Sequence, residues 1–182
     1  AYVKGDEVMH QLFDEVKAFH FEIISALFKD QKNPIYDDVA NTFVEIEWLL
    51  EEEASDSADY LYDQIVSIGE LVSTKIVAAY LNLVGVFSIW TDARDYIQTD
   101  NNYRDANVIW DKTEQEIQKH LPSFLNKGIV VTQGFIGSTS ENFTSTLGRE
   151  GSDYSAAIFC ACLNGESLTI WKDVPGVLNA DP

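Results

Sequence analysis

The chain has 182 residues, 46% of them hydrophobic and 12% aromatic, which fits one domain with a sizeable core. A formal net charge of −18 and an isoelectric point near 4.2 argue against nucleic acid and anionic membrane as partners. No apolar run reaches the roughly 20 residues that span a bilayer. The opening Ala1-Tyr2-Val3-Lys4-Gly5-Asp6-Glu7 also lacks a signal-peptide layout, so a cytoplasmic location is expected.

In chain order, residues 1–84 read as mainly helical. Val8, Leu12, Val16, Phe19, Ile23 and Leu27 recur at three- and four-residue steps, the spacing of one buried helix face. Asn33-Pro34 ends that helix or starts the next, which carries Phe43, Ile46, Leu49 and Leu50. Ser55, Asp56 and Ser57 offer caps for a third helix through Leu61, Ile65, Ile68, Val72, Ile76 and Tyr80.

Residues 85–182 alternate between strand and helix. The predicted strands are Val86–Trp90, Asn107–Trp110, Ile129–Thr132 and Ser167–Trp171, with helices over 113–126 and 152–163. Alternation of this kind implies an α/β fold with a mostly parallel sheet and helices packed on it. Helices precede the first strand and no helix closes the chain, so it reads as a piece of a longer protein.

The acid is unevenly placed. Between Lys32 and Lys75 there is no Lys or Arg but eleven Asp and Glu, read as a solvated helical face rather than a cation or partner site. Cys160 and Cys162 sit in an apolar stretch without a second Cys or His pair, so they read as buried thiols on a helix, and no metal site is expected. A molecule this acidic needs its few cations gathered in any cleft that takes an anionic ligand.

Four stretches carry candidate chemistry. In Arg149-Glu150-Gly151-Ser152-Asp153-Tyr154, Gly151 permits a tight turn and Ser152 or Asp153 offers a helix cap beside an anion-favouring N-terminus, with Arg149 able to fork onto a carboxylate. A plain cap beside a surface Arg explains the same residues. Gly134-Phe135-Ile136-Gly137 follows a strand, so Gly134 and Gly137 allow close approach to a phosphate, or simply a turn. Gly69 in the third helix hints at a close neighbour, and Glu70 beside it can accept an ammonium or be one more exposed acid. Lys172 and Asp173 precede Pro175-Gly176, at a strand edge suited to ligands or in an ordinary hairpin.

The order of these stretches resembles the amino-acid kinase family, and within it the aspartate kinases. The strings are S-x-G-E-x-x-S-T from Ser67, T-Q-G-F-I-G from Thr132, T-L-G-R-x-G-S-D-Y-S-A-A from Thr146 and W-x-D-V-P-G-V-x-x-A-D-P from Trp171. Trp90-Thr91-Asp92-Ala93-Arg94 and Thr99-Asp100 also look like that family's middle region. The resemblance runs from about Gln64 to Pro182 and implies a three-layer sandwich, here a partial amino-acid kinase catalytic domain truncated at both ends.

By that resemblance, the activity is transfer of the γ-phosphoryl group of ATP, with Mg²⁺, to the β-carboxylate of L-aspartate. This is the first step toward lysine, threonine and methionine. Arg149 would grip a substrate carboxylate, Ser152 and Glu70 would hold the rest of the aspartate, and Phe135 would wall the pocket. Asp153 would serve catalysis by orienting a lysine and the phosphoryl site. Gly134, Gly137 and Gly151 would approach phosphate, while Lys172, Asp173 and Leu178 would line the nucleotide pocket. A homo-oligomer is implied for the full-length protein, with regulatory ACT domains and sometimes a homoserine dehydrogenase beyond it.

The chain departs from the family pattern in three places. The opening K-F-G-G-T-S strand, whose lysine stabilises the transferring phosphoryl group, has no counterpart; Lys4-Gly5 is the nearest string. An arginine normally follows the final A-D-P, and Glu150 stands where many members have glycine. The 182-residue chain is therefore expected to be inactive, or nearly so, alone. The competing readings are an amino-acid kinase with another acceptor, and a non-catalytic acidic module of the same fold that binds a partner.

Overall fold

The computed structural model describes residues 9–51 and 57–172. Three helices form the first layer: α1 (Met9–Leu27), α2 (Ile35–Glu51) and α3 (Ala58–Leu83). Ser57 caps α3, its hydroxyl accepting from the Tyr60 N–H at 3.2 Å, and Asn33 Oδ1 accepts from the Ile35 N–H at 3.1 Å where α2 begins. Asp37 and Asp38 then sit in the first turn of α2, where the helix dipole favours negative charge.

The buried face of α1 is not the expected one. Leu12, Val16 and Phe19 face solvent, Phe19 at 60% exposure, while Ile24 is buried. The inward stripe runs through Phe13, Lys17, His20 and Ile24. Phe13 and His20 each meet Phe43 edge-on at 5.7 Å, and Lys17 pairs with Glu47 of α2. Two polar members conceal that stripe from an apolar count. Phe43, Ile46, Ile68, Leu71, Val72 and Ile76 complete this core.

By length and composition α3 meets the requirement for crossing a membrane, contrary to the expectation that no run does. It packs on one side against α1, α2 and strands of both sheets, with Asp63 fully buried, while Tyr62, Val77 and Leu83 are exposed.

Strand β1 (Ser88–Trp90) pairs in parallel with β2 (Ile129–Val131), Trp90 opposite Val131. Trp90 packs with the α1–α3 core. Val130 faces a second core of Ile97, Ile117, Leu121, Leu147 and Ile158, built on α4 (Trp110–Leu125) and α5 (Gly151–Cys162). Helices on either side of the parallel pair give the layered α/β arrangement that was expected.

Other elements differ from expectation. Asn107–Trp110 is not a strand: Val108 makes one bridge to Thr99, and Trp110 opens α4. Ser167–Trp171 forms no strand within the described residues, having no ladder partner there, and Trp171 is 90% exposed. Instead β3 (Ile136–Ser138) and β4 (Thr144–Thr146) form an antiparallel hairpin with every strand residue buried. Of the two cysteines on α5, Cys162 is buried and Cys160 only half-buried. Burial pushes the Cys162 thiol above its ordinary pKa, helped by the nearby Glu114 charge, which suits a packing residue.

Candidate active site

The site begins where β2 ends. Gln133 turns inward with 1% exposure. Its Oε1 accepts from the Ala93 N–H at 2.7 Å, and its Nε2 donates to Thr74 Oγ1 at 2.7 Å and to the Thr91 carbonyl at 3.3 Å. Two residues on, Phe135 has φ of 71°, and the Ile136 N–H donates to the Gly134 carbonyl at 2.9 Å. That closes a γ-turn at an aromatic residue, a conformation costing on the order of 1–3 kcal/mol. It is held from both sides. The Phe135 N–H donates to Ser155 Oγ at 2.7 Å, and its carbonyl accepts from the Leu147 N–H at 2.8 Å.

Two glycines make the seat possible. A Cβ at Gly151 would lie 2.6 Å from Phe135 Cδ2, and one at Gly134 would lie 3.0 Å from Ser152 Cα. Ser155 Oγ also donates to the Gly151 carbonyl at 2.7 Å, so one hydroxyl joins the γ-turn to the first turn of α5. The glycines expected to approach phosphate therefore have a packing reason first.

The Arg149 loop hangs from β4. The fully buried Asp63 carboxylate accepts from the Thr146 N–H and hydroxyl, both at 2.8 Å, and from the Arg104 N–H at 2.9 Å. Gln64 clamps Thr144, donating to its carbonyl at 2.7 Å and accepting from its N–H at 3.1 Å. Beyond that anchor Gly148 has φ of 73° and Glu150 has φ of 61°. Glu150 is the residue before α5 and makes no side-chain cap, so the expected Ser152 or Asp153 cap is not formed; both lie within the first turn. A positive φ favours glycine, so Glu150 sits in a conformation that a side chain rarely adopts.

The charges gather on this loop. Lys172 Nζ lies 2.7 Å from Asp153 Oδ2 and 3.7 Å from Glu150 Oε2. The hydrogen bond to Asp153 raises the Lys172 pKa above its ordinary value, outweighing desolvation, with the Asp153 and Glu150 charges adding, so it stays an ammonium at neutral pH. The Arg149 side chain is largely exposed, with Nε 3.9 Å from Glu150 Oε1. Gly134, Phe135, Arg149, Gly151, Ser152, Asp153 and Lys172 are thus brought together.

Glu70 comes from α3. Its backbone carbonyl accepts from Thr74 Oγ1 at 2.7 Å, the same hydroxyl that takes the Gln133 amide. Burial raises the pKa of its carboxyl. Nothing lies within 4 Å of a Cβ placed on neighbouring Gly69, so the close neighbour expected there is not found among the described residues. Gly137 is not brought to this cluster: it is buried in β3, and a Cβ there would lie 2.6 Å from the Ile97 carbonyl. Asp173 and Leu178 lie outside the described residues, as does Lys4. Among the described residues there is no group of three or more His, Cys, Asp or Glu able to hold a metal.

Gln133, Thr74 and Asp63 were not anticipated. The available signal was a long amide and an acid placed within apolar runs, where burial demands partners.

Residues 15–182 match the amino acid kinase family. The chain belongs to that family. It is 34% identical over 169 residues to lysine-sensitive aspartokinase 3 of Escherichia coli, a match covering 93% of this chain and 37% of that protein. It is 39% identical over 132 residues to the chloroplastic bifunctional aspartokinase/homoserine dehydrogenase 1 of Arabidopsis thaliana, covering 71% of this chain and 14% of that one. The structure superposes on E. coli aspartokinase III in complex with aspartate and ADP with a TM-score of 0.84 at 34% identity, covering 92% of this chain and 37% of that one. For the aspartate kinase of Clostridium acetobutylicum the TM-score is 0.73 at 27% identity, with coverage of 99% and 36%. The amino-acid kinase fold is therefore the fold of this chain, which spans little more than a third of the length of these single-function relatives.

Proposed function

We propose that the chain forms the acceptor side of an aspartate kinase, which transfers the γ-phosphoryl group of ATP to the β-carboxylate of L-aspartate. The observation that carries this reading is the convergence of Arg149, Ser152, Asp153 and Phe135 at the start of α5. The kinship with aspartokinases, one of them solved with aspartate and ADP, supports it.

In this reading Arg149 forks onto a substrate carboxylate, which its largely exposed guanidinium can reach. Glu70 accepts the substrate ammonium from the α3 side, and Ser152 contributes its hydroxyl. Phe135, seated by its γ-turn, walls the pocket and keeps water from the reacting carboxylate. That carboxylate is ionised at neutral pH, so the displacement needs no general base. Catalysis rests on positioning and on charge neutralisation. Asp153 fixes the Lys172 ammonium, which is then available to phosphate oxygens as charge develops. Mg²⁺ entering with the nucleotide would supply the remaining positive charge.

The test is ADP release from ATP and Mg²⁺ by the full-length gene product, with L-aspartate, L-glutamate or no acceptor. Aspartate-dependent release that is lost in Asp153→Ala, and in the 182-residue chain without a K-F-G-G string, supports the reading. Release with glutamate but not aspartate, or none from a folded protein, overturns it.

A further inference from the structure

We propose that Gln133 and Thr74 are positioning residues for Glu70, fixing the α3 turn that bears it relative to Phe135; this rests on the aspartate kinase reading above. Gln133 is buried, and both ends of its amide are used: the oxygen takes the Ala93 N–H, and the nitrogen donates to Thr74 Oγ1 and the Thr91 carbonyl. Thr74 is equally committed. Its oxygen accepts from Gln133 Nε2 at 2.7 Å and from Trp90 Nε1 at 3.0 Å.

A hydroxyl has one proton and two lone pairs, so two incoming N–H groups leave only the proton to give. It goes to the Glu70 carbonyl at 2.7 Å, with the Leu71 carbonyl at 3.2 Å as the weaker alternative. An indole N–H can only donate, and the Ala93 N–H holds the amide oxygen on its own side, so the network has one direction. Ser73 adds a longer bond to the same Glu70 carbonyl, at 3.2 Å.

The consequence is geometric. Gln133 is followed by Gly134 and the Phe135 γ-turn, so one side chain locks the aromatic wall to the helix turn carrying the ammonium acceptor. A fully satisfied buried network of this kind specifies a single arrangement, whereas an apolar contact permits sliding. Neither residue is assigned contact with substrate. Their effect reaches the reaction through Glu70.

The test uses the full-length gene product, with aspartate and ATP varied separately. Thr74→Val keeps the shape and removes the hydroxyl, and Thr74→Ser restores it. Thr74→Val is expected to raise the aspartate KM about tenfold while the ATP KM stays within about twofold. Thr74→Ser is expected to stay within about threefold of wild type for both. In a Glu70→Gln background, Thr74→Val should add less than about twofold to the aspartate KM, because residues acting through one group are not additive.

Equal rises in both KM values, an undiminished effect in the Glu70→Gln background, or an unchanged aspartate KM would overturn the proposal. Should Thr74→Val fail to fold, Gln133→Glu is judged by the same criteria; it retains the acceptor for Ala93 and removes the donor to Thr74. A wild type without aspartate-dependent ADP release sinks the function and this inference together. An active wild type whose variants show no KM split sinks the inference alone.

Discussion

The α1–α2 face and the start of α5 are built on opposite terms. On α1, Leu12, Val16 and Phe19 are exposed, and the inward stripe tolerates a lysine and a histidine. At α5, a γ-turn at Phe135, a positive φ at Glu150 and a glycine whose Cβ would lie 2.6 Å from the Phe135 ring are packed together. The first surface is held by area, which many side chains supply. The second is held by backbone geometry that few residues adopt, and such strain persists only where the surroundings enforce it. The lesson is that the exposed charges of the site and the buried groups beneath it should respond differently to substitution.

The largest expected effect is on activity without stability. Arg149→Ala should lower kcat/KM for L-aspartate roughly hundredfold, since it deletes a charge-assisted fork. Its unfolding midpoint should barely move, because the side chain is largely exposed. Thermal melts beside steady-state kinetics check this, and a stability loss matching the activity loss would erase the contrast.

Asp63→Asn should do the reverse. The carboxylate accepts three hydrogen bonds in a fully buried site; an amide oxygen can still take the two N–H groups, but the charge that strengthens all three bonds is lost and the Thr146 hydroxyl must turn to accept. The expected cost is about 1–3 kcal/mol in urea unfolding. A cost near zero would show that β4 does not depend on this anchor.

Glu70 joins both behaviours. Burial raises its pKa above 4.5. As a group with a raised folded pKa, it favours the fold below about 4.5 and loses that contribution as pH rises through the folded value. Glu70→Gln should therefore slightly raise the melting temperature at pH 7 while weakening aspartate binding. In the wild type, aspartate affinity should fall as pH drops through the raised pKa, because only the ionised carboxylate pairs with an ammonium. Calorimetric titration between pH 4 and 7 reads it; a flat profile would remove Glu70 from the site.

The smallest effect sharpens the comparison. Glu150→Gly relieves a left-handed residue and forfeits two exposed ion contacts of 3.7 and 3.9 Å. Surface pairs of this kind contribute about 0–1 kcal/mol, so the balance should be neutral to about 1 kcal/mol stabilising. Clear destabilisation would mean the Glu150 contacts matter more than its φ.

The sequence announced the helices through the spacing of their apolar residues, and of the three caps it offered for α3, Ser55, Asp56 and Ser57, the last is the one used. It misplaced the buried face of α1 because Lys17 and His20 lie within it. The β3–β4 hairpin was missed because Ser138, Thr144, Ser145 and Thr146 look like surface residues, yet all are buried. At the site, Arg149, Ser152, Asp153 and Lys172 were legible as charge and polarity around a glycine turn. The positive φ values of Phe135 and Glu150 were not, since neither residue type signals that conformation. Gly134 and Gly151 read as residues that approach phosphate; in the structure they make room for Ser152 and Phe135.

The most direct measurement is kcat/KM for L-aspartate of Gly151→Ala in the full-length gene product, with its unfolding followed in parallel. The added methyl must displace the Phe135 ring, so a loss of about a hundredfold from a protein that still unfolds cooperatively is expected. An unchanged kcat/KM in that folded variant would contradict the claim that Phe135, seated against the start of α5, forms the wall of the acceptor site.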